Sequence, residues 1–320
     1  MKNYNIAIEK IKKADNIVIY THANVDGDAI GSAFAFYFLL KEMGKNVDVF
    51  AKTTMPNQLK FLDIEDILNK KTVDKYNLAI AVDCNTIEMT SVYVDDFYKV
   101  PESVQFDHHR NNPSYAEINV VEPEMSSACE VIANVFEKTN TKINKKVAEF
   151  LLCGMITDSG GFRFASVTSK TLLTAYKLIE EFNLDLSYYM HNLFESETKD
   201  YLKMYKEAIN NTEILYDDKI AIITLPHKFF KETGIDPNSS KNLTRIGTEI
   251  KSVIVTALIS EVEPNVSKVS FRSRRGYDCS LCANVFGGGG HREASGCKIF
   301  GNLNDTKDKV LKAITDGLLW

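Results

Sequence analysis

Short apolar runs alternate with longer, helically spaced ones through the first half of the chain. Residues 16–20, 47–51, 78–82 and 104–106 are β-prone and bounded by polar positions, the pattern of buried parallel strands covered on both faces. Residues 28–43 carry Ala, Phe and Leu at helical spacing and close on Gly44, and 126–138, 145–156 and 169–182 repeat that spacing. Strand followed by helix in this order predicts an α/β domain built on a doubly wound parallel sheet.

Beyond residue 183 the texture changes. Residues 186–210 predict one or two polar helices with an apolar stripe of Tyr189, Leu193, Tyr201, Met204, Tyr205 and Ile209, a packing surface joining two domains. Strand candidates at 213–216, 220–224, 252–260 and 268–272, with helices near 239–247 and 306–319, predict a second, smaller α/β domain. The expected division is 1–185, a helical linker over 186–211, and 212–320.

Composition narrows the function classes. The 320 residues are 44% hydrophobic and 25% charged, as in soluble globular proteins, and a net charge of -5 argues against nonspecific capture of long duplex nucleic acid. No run approaches the roughly 20 apolar residues of a membrane span, and the first residues lack a signal-peptide core, so a cytoplasmic location without a membrane partner is expected. Six scattered cysteines are expected to be reduced thiols. Cys279 and Cys282 form a lone CxxC, expected to mark one helix face rather than a zinc or redox pair.

Candidate chemistry concentrates where the apolar runs end, which is where parallel-sheet proteins place their sites. His22, Asp26 and Asp28 follow the first run, and Gly27 between the acids is expected to permit an unusual backbone that aims them at one point. Either acid could instead be a simple helix N-cap. Asp83 follows residues 78–82, where a charge is costly unless it caps something or binds a cation. Asp107, His108 and His109 follow 104–106, and Asp158 stands in the run Gly154-Met-Ile-Thr-Asp-Ser-Gly-Gly161. Imidazoles and carboxylates without sulfur suit Mn2+ or Mg2+, the histidines favouring Mn2+, and two such ions would support phosphoester hydrolysis.

The C-terminal part carries Gly287-Gly-Gly-Gly290, then His291, with Arg272-Ser273 upstream. Consecutive glycines are expected to expose N–H groups in a concave nest suited to phosphate, with Arg272 and His291 adding charge-assisted bonds. Arg110, Arg163, Arg274 and Arg275 are either further phosphate contacts or solvated cations, whereas His191 and His227 are expected to be structural or exposed.

In this order the motifs resemble those of the DHH phosphoesterase superfamily, and the glycine-histidine run with the Arg-Ser pair resembles its DHH-associated C-terminal domain. Together they span residues 22 to 296. The resemblance implies a catalytic domain and a substrate domain with the active site in the cleft between them, and two Mn2+ ions, with Mg2+ as the alternative. It places His22 and Asp26 on one ion, Asp28, His108 and Asp158 on the other, and Asp83 between them. Asp107 would orient a histidine of the DHH triplet, and His109 would face the substrate phosphate as a donor or acid. Arg272, Ser273, Gly288, Gly289, Gly290 and His291 would clamp the nucleotide, although Glu293 departs from the pattern by bringing a carboxylate near that pocket.

Within the superfamily the chain is most similar to small oligoribonucleases that also remove the 3'-phosphate of pAp. Type II pyrophosphatases lack the glycine-rich handle. Expected partners are short RNA, pAp and pApA. A soluble c-di-AMP or pApA phosphodiesterase, and a binding module that reads such nucleotides without turnover, are the alternatives. A homodimer is expected from the family and from the apolar stripe between the domains.

Overall fold

The computed structural model describes residues 2–317 apart from 54 and 275, and leaves undescribed the side chains at 2, 238, 241, 242 and 291. The His291 side chain expected at the nucleotide grip, and Arg275, expected either at phosphate or in solvent, therefore lie outside the described residues. The chain folds as two units, Met1–Ser196 and Glu197–Trp320.

In the first unit, α1 (Lys2–Lys13) leads to β1 (Asn16–Tyr20), α2 (Gly27–Glu42), β2 (Asn46–Phe50), β3 (Leu78–Val82), α3 (Val94–Lys99), β4 (Glu102–Asp107) and β5 (Ile118–Val121). Four helices follow: α4 (Ala128–Lys138), α5 (Lys145–Asp158), α6 (Ser169–Phe182) and α7 (Leu186–Phe194). The five strands pair in parallel in the order β2-β1-β3-β4-β5. Successive residues of a strand face opposite sides. Ile17, Ile19, Ile80, Val82 and Phe106 enter the large core shared with α2, α4 and α5, while Val18, Tyr20, Ala79 and Ala81 meet Ile87 and Phe97 on the other face. The small alanines of β3 leave room there for the Tyr20 and Phe97 rings, 6.3 Å apart. Helix α1, which buries Tyr4, Ala7, Ile8 and Ile11, and the short edge strand β5 are additions to the expected elements.

The second unit contains α8 (Lys199–Asn210), β6 (Thr212–Leu215), β7 (Ile220–Leu225), α9 (His227–Thr233), α10 (Arg245–Thr248), β8 (Val255–Glu263) and β9 (Val266–Ser273). It ends with α11 (Cys279–Val285), β10 (Gly289–His291), β11 (Ala294–Phe300) and α12 (Leu303–Gly317). Its sheet runs β10-β11-β9-β8-β7-β6, with only β7 and β8 parallel. The helix expected over 239–247 is mostly a 3-10 turn, Pro237–Thr244. Ser239 and Ser240 explain this, because their hydroxyls donate to the Asp236 and Pro237 carbonyls and compete with an α-helical ladder.

The segment 186–211 is not a body of its own. Its two helices divide between the units, Tyr189 and Leu193 of α7 entering the first core and Met204 of α8 a core of the second, while Ile209 is exposed. The expected stripe is thus used in part inside the units, with Tyr201 and Tyr205 half-buried against the second unit's core. All six cysteines are free, and Cys279 and Cys282 are buried in the second unit's core. Among the described residues no helix is long and apolar enough to cross a membrane.

Candidate metal centre

Asp26 is the N-cap of α2: its Oδ1 accepts the Asp28 and Ala29 N–H groups, both at 3.0 Å. The same oxygen stands 3.9 Å from His22 Nε2, so capping and membership of the cluster coexist. Asp28 turns inward and is buried. Its Oδ2 and Oδ1 accept the Ala128 and Cys129 N–H groups at 2.6 and 2.9 Å, in the first turn of α4, where the helix dipole favours a carboxylate. Burial, with Asp26 nearby, nevertheless pushes Asp28 up to about 6.

Gly27 serves differently from the expectation. It is not among the glycines with positive φ, so no unusual conformation requires it. What it supplies is room: a side chain there would collide with Thr157, the neighbour of Asp158. A Cβ at Gly31 would fall 2.6 Å from the Phe150 carbonyl oxygen, and one at Gly154 2.8 Å from Asp28 Oδ1. Helices α2 and α5 therefore meet almost backbone to backbone, which brings Asp28 and Asp158 to one place.

Asp83 leaves β3 in the left-handed region, φ 52°, with its N–H bonded to the Phe106 carbonyl at 3.0 Å. Aspartate tolerates this conformation better than most side chains, and the turn aims a buried carboxylate past the strand end. Asp83 Oδ2 lies 3.4 Å from His22 Nε2, and its Oδ1 3.7 Å from His108 Nε2. His108 Nε2 is also 3.5 Å from Asp158 Oδ2 and 4.0 Å from Asp28 Oδ2. Among the described residues, the donor atoms of three groups lie within 4.8 Å of one another: His22, Asp26 and Asp83; Asp28, His108 and Asp158; and Asp83, His108 and His109.

These spacings are long for hydrogen bonds but suit ligands around a shared cation, since two donors about 2.1 Å from one ion at a right angle stand about 3 Å apart. The electrostatics agree. Burial, then Asp28 and Asp26, raises Asp83 well above the usual carboxylate range, and burial, then Asp28, pushes Asp158 up to about 7. Converging acids and imidazoles, with His22, Asp28 and Asp83 buried and Asp26 open to solvent, form a fitting donor set for divalent cations.

Asp107 is fully buried, and its Oδ1 lies 2.7 Å from His109 Nδ1. Burial opposes the charge of both, but the pairing holds Asp107 below its usual range and His109 up at about 9. The triplet histidine that Asp107 contacts is thus His109. The sequence reading overlooked the amides of Ala128 and Cys129. The capping pattern Ser127-x-x-Glu130 marks the start of α4, with Ser127 Oγ accepting the Glu130 N–H at 3.0 Å, but nothing in it signals that the helix points at Asp28.

In the second unit the glycine run is not an open nest. The Gly287 and Gly288 N–H groups donate to the Asn284 and Ala283 carbonyls at 3.0 and 2.9 Å, closing α11, and Gly289 and Gly290 enter strand β10 beside β11. Ser273 Oγ donates to the Tyr277 and Arg292 carbonyls at 2.8 and 3.1 Å. Arg274 is half-buried and donates to the Val253 and Ile250 carbonyls through Nε and Nη2. Arg272 is half-buried on β9, with Nη1 donating to the Phe271 carbonyl at 2.9 Å. Arg110 pairs with Glu124 at 3.0 Å, and Arg163 Nε donates to the Gly160 carbonyl at 2.5 Å. His191 is exposed near Glu195, and His227 is half-buried.

Residues 16–155 match the DHH family, N-terminal domain, and residues 217–317 match the DHHA1 domain. The chain carries a DHH-family N-terminal domain followed by a DHHA1 domain. As a DHH phosphoesterase it is a hydrolase. The chain is 26% identical to the bifunctional oligoribonuclease and PAP phosphatase NrnA of Thermus thermophilus, with 94% of this chain and 90% of that protein aligned. It is 26% identical to the protein of the same name from Bacillus subtilis, over 95% of each. An exopolyphosphatase-related protein from Bacteroides fragilis shares the fold with a TM-score of 0.92 at 24% identity, over 98% of this chain and 96% of that one.

Proposed function

We propose that this hydrolase is a divalent-cation-dependent phosphoesterase of short nucleotides, cleaving oligoribonucleotides of a few residues to mononucleotides and converting pAp to AMP, with Mn2+ as the working ion. The observation that carries the reading is the pair of ligand groups, His22-Asp26 and Asp28-His108-Asp158, gathered from the ends of β1 and β4, the start of α2 and the end of α5, with Asp83 reaching both histidines. The relatives named above, aligned over nearly the whole chain, support the substrate class.

His22, Asp26 and Asp83 would hold one ion, and Asp83, Asp28, His108 and Asp158 the other. Two such ions, when bound, activate water and neutralise charge on a phosphoryl group. Asp107 fixes the His109 ring through Nδ1 and favours its protonated form. A proton on Nε2 is then the one delivered to the departing oxygen. The grip on the nucleotide is assigned to Arg272, the Gly288–Gly290 run and His291 of the DHHA1 unit, with the Ser273 hydroxyl holding the main chain beside them. A cytoplasmic enzyme acting on small soluble substrates is consistent with this reading.

Purified protein is to be incubated with Mn2+ and pApA, pAp or c-di-AMP, each with an EDTA control, and the products separated by chromatography. AMP from pApA and from pAp, lost with EDTA, is expected. Faster turnover of c-di-AMP would move the protein to cyclic-dinucleotide hydrolysis. No cation-dependent product from any of the three would overturn the short-nucleotide reading, and binding without turnover would make the chain a nucleotide-reading module.

A further inference from the structure

One side chain outside the ligand groups ties Asp107 to the turn after Asp83. The Asn112 amide has two N–H bonds, and both reach the centre: Nδ2 lies 3.2 Å from the Cys84 carbonyl oxygen and 2.5 Å from Asp107 Oδ2. Its orientation is fixed because Oδ1 accepts the Ser114 N–H at 2.8 Å; a flipped amide would set its oxygen against two acceptors. The Asn112 N–H itself donates to the His109 carbonyl at 3.3 Å, closing the loop that follows the DHH triplet. The Cys84 carbonyl also accepts from Gln105 Nε2 at 3.4 Å and the Tyr115 hydroxyl at 3.1 Å. Three side chains therefore converge on the residue after Asp83, where that acid sits in its left-handed conformation.

We infer that Asn112 is a positioning residue, holding Asp107, and through it His109, in register with the Asp83 turn. The inference rests on the proposed phosphoester reading. Without Asn112, Asp107 keeps its bond to His109 but loses the donor that stops its carboxylate from turning. Cys84 keeps the donors from Gln105 and Tyr115. The damage falls on placement of the proton donor rather than on binding of ion or substrate.

Full-length Asn112→Ala and Asn112→Asp are to be compared with wild type for kcat and KM on pApA and on bis(p-nitrophenyl) phosphate with Mn2+, for Mn2+ affinity by calorimetry, and for thermal midpoint. Aspartate has the size of asparagine but no donors, and it sets carboxylate oxygens against Asp107 and Cys84. The expected kcat loss is about 10–100-fold for Asn112→Ala and greater for Asn112→Asp, with KM and Mn2+ affinity within about threefold of wild type. Should Asn112→Asp fail to fold, Asn112→Ser, which can donate one hydrogen bond, is expected to fall between wild type and Asn112→Ala. Wild-type kcat in Asn112→Asp, Asn112→Ser no better than Asn112→Ala, or activity lost only in proportion to folded protein would overturn the inference alone. Wild-type protein that hydrolyses neither substrate would refute the proposed function and the inference with it.

Discussion

In the first unit the acids and imidazoles at the strand ends crowd together beyond what neighbouring donors satisfy, whereas in the second Ser273, Arg274 and the opening glycines give their hydrogen bonds to adjacent main chain. Asp48 sharpens the contrast inside the first unit. It is a buried acid on β2, but the Thr72 and Val73 N–H groups, both at 2.9 Å, and the Thr72 and Tyr76 hydroxyls overcome burial and hold it below its usual range. A buried carboxylate alone therefore does not mark a site. Acids left to face one another, with proton affinities pushed up, do.

Removing the shared acid has the largest effect. Asp83→Asn keeps the shape and the left-handed turn but removes the charge. Hydrolysis should fall by more than the roughly 100-fold that marks the loss of an outer partner, measured as kcat/KM against pApA with saturating Mn2+. A variant within tenfold of wild type would contradict the shared-ligand geometry.

The next effect concerns pH and cation removal. Asp28, pushed to about 6, and Asp158, to about 7, keep protons in the folded cation-free chain that the unfolded chain has released by about pH 4–5. Their contribution to stability is present below about pH 4 and is lost as pH rises through 6 to 7. Asp48, held low, runs the other way, and its contribution disappears only as pH falls below the ordinary carboxylate value. EDTA-treated protein should therefore be more stable to urea at pH 5 than at pH 8, by about 1–3 kcal/mol, and added Mn2+ should stabilise it more at pH 8. Rising stability between those pH values without cation would be inconsistent with crowding.

The smallest effects separate the two roles in the DHHA1 unit. Arg272→Ala should raise KM for pApA about tenfold with kcat nearly unchanged. Ser273→Ala, whose hydroxyl bonds main chain, should lower stability by about 1 kcal/mol with a smaller change in KM. Steady-state kinetics and urea melts of both variants decide this, and a larger KM effect from Ser273 would return it to the nucleotide.

The first unit was readable in the sequence because parallel strands announce themselves twice, as short apolar runs and as polar residues where those runs stop. Residues 78–82 and the acid after them are an instance. What could not be read was whatever depends on contact between distant segments: Asp28 against the amides of Ala128 and Cys129, Gly27 against Thr157, Asn112 against Cys84. In the second unit a row of glycines has the same appearance whether its N–H groups face a ligand or a neighbouring carbonyl. Only the closure of α11 and the pairing of β10 with β11 distinguish the two.

The meeting of α2 and α5 at Gly27, Gly31 and Gly154 also bears on how this protein can change over evolutionary time. Elsewhere in the core, a Leu can drift to Ile or Val in small steps of volume. At these three positions no small step exists, because the first atom added falls on Thr157, on the Phe150 carbonyl, or on the Cys129 sulfur and Asp28. The gauge between two of the acids is thus written in residues that cannot be adjusted gradually, and descendants can retune the surroundings of the site far more easily than its span.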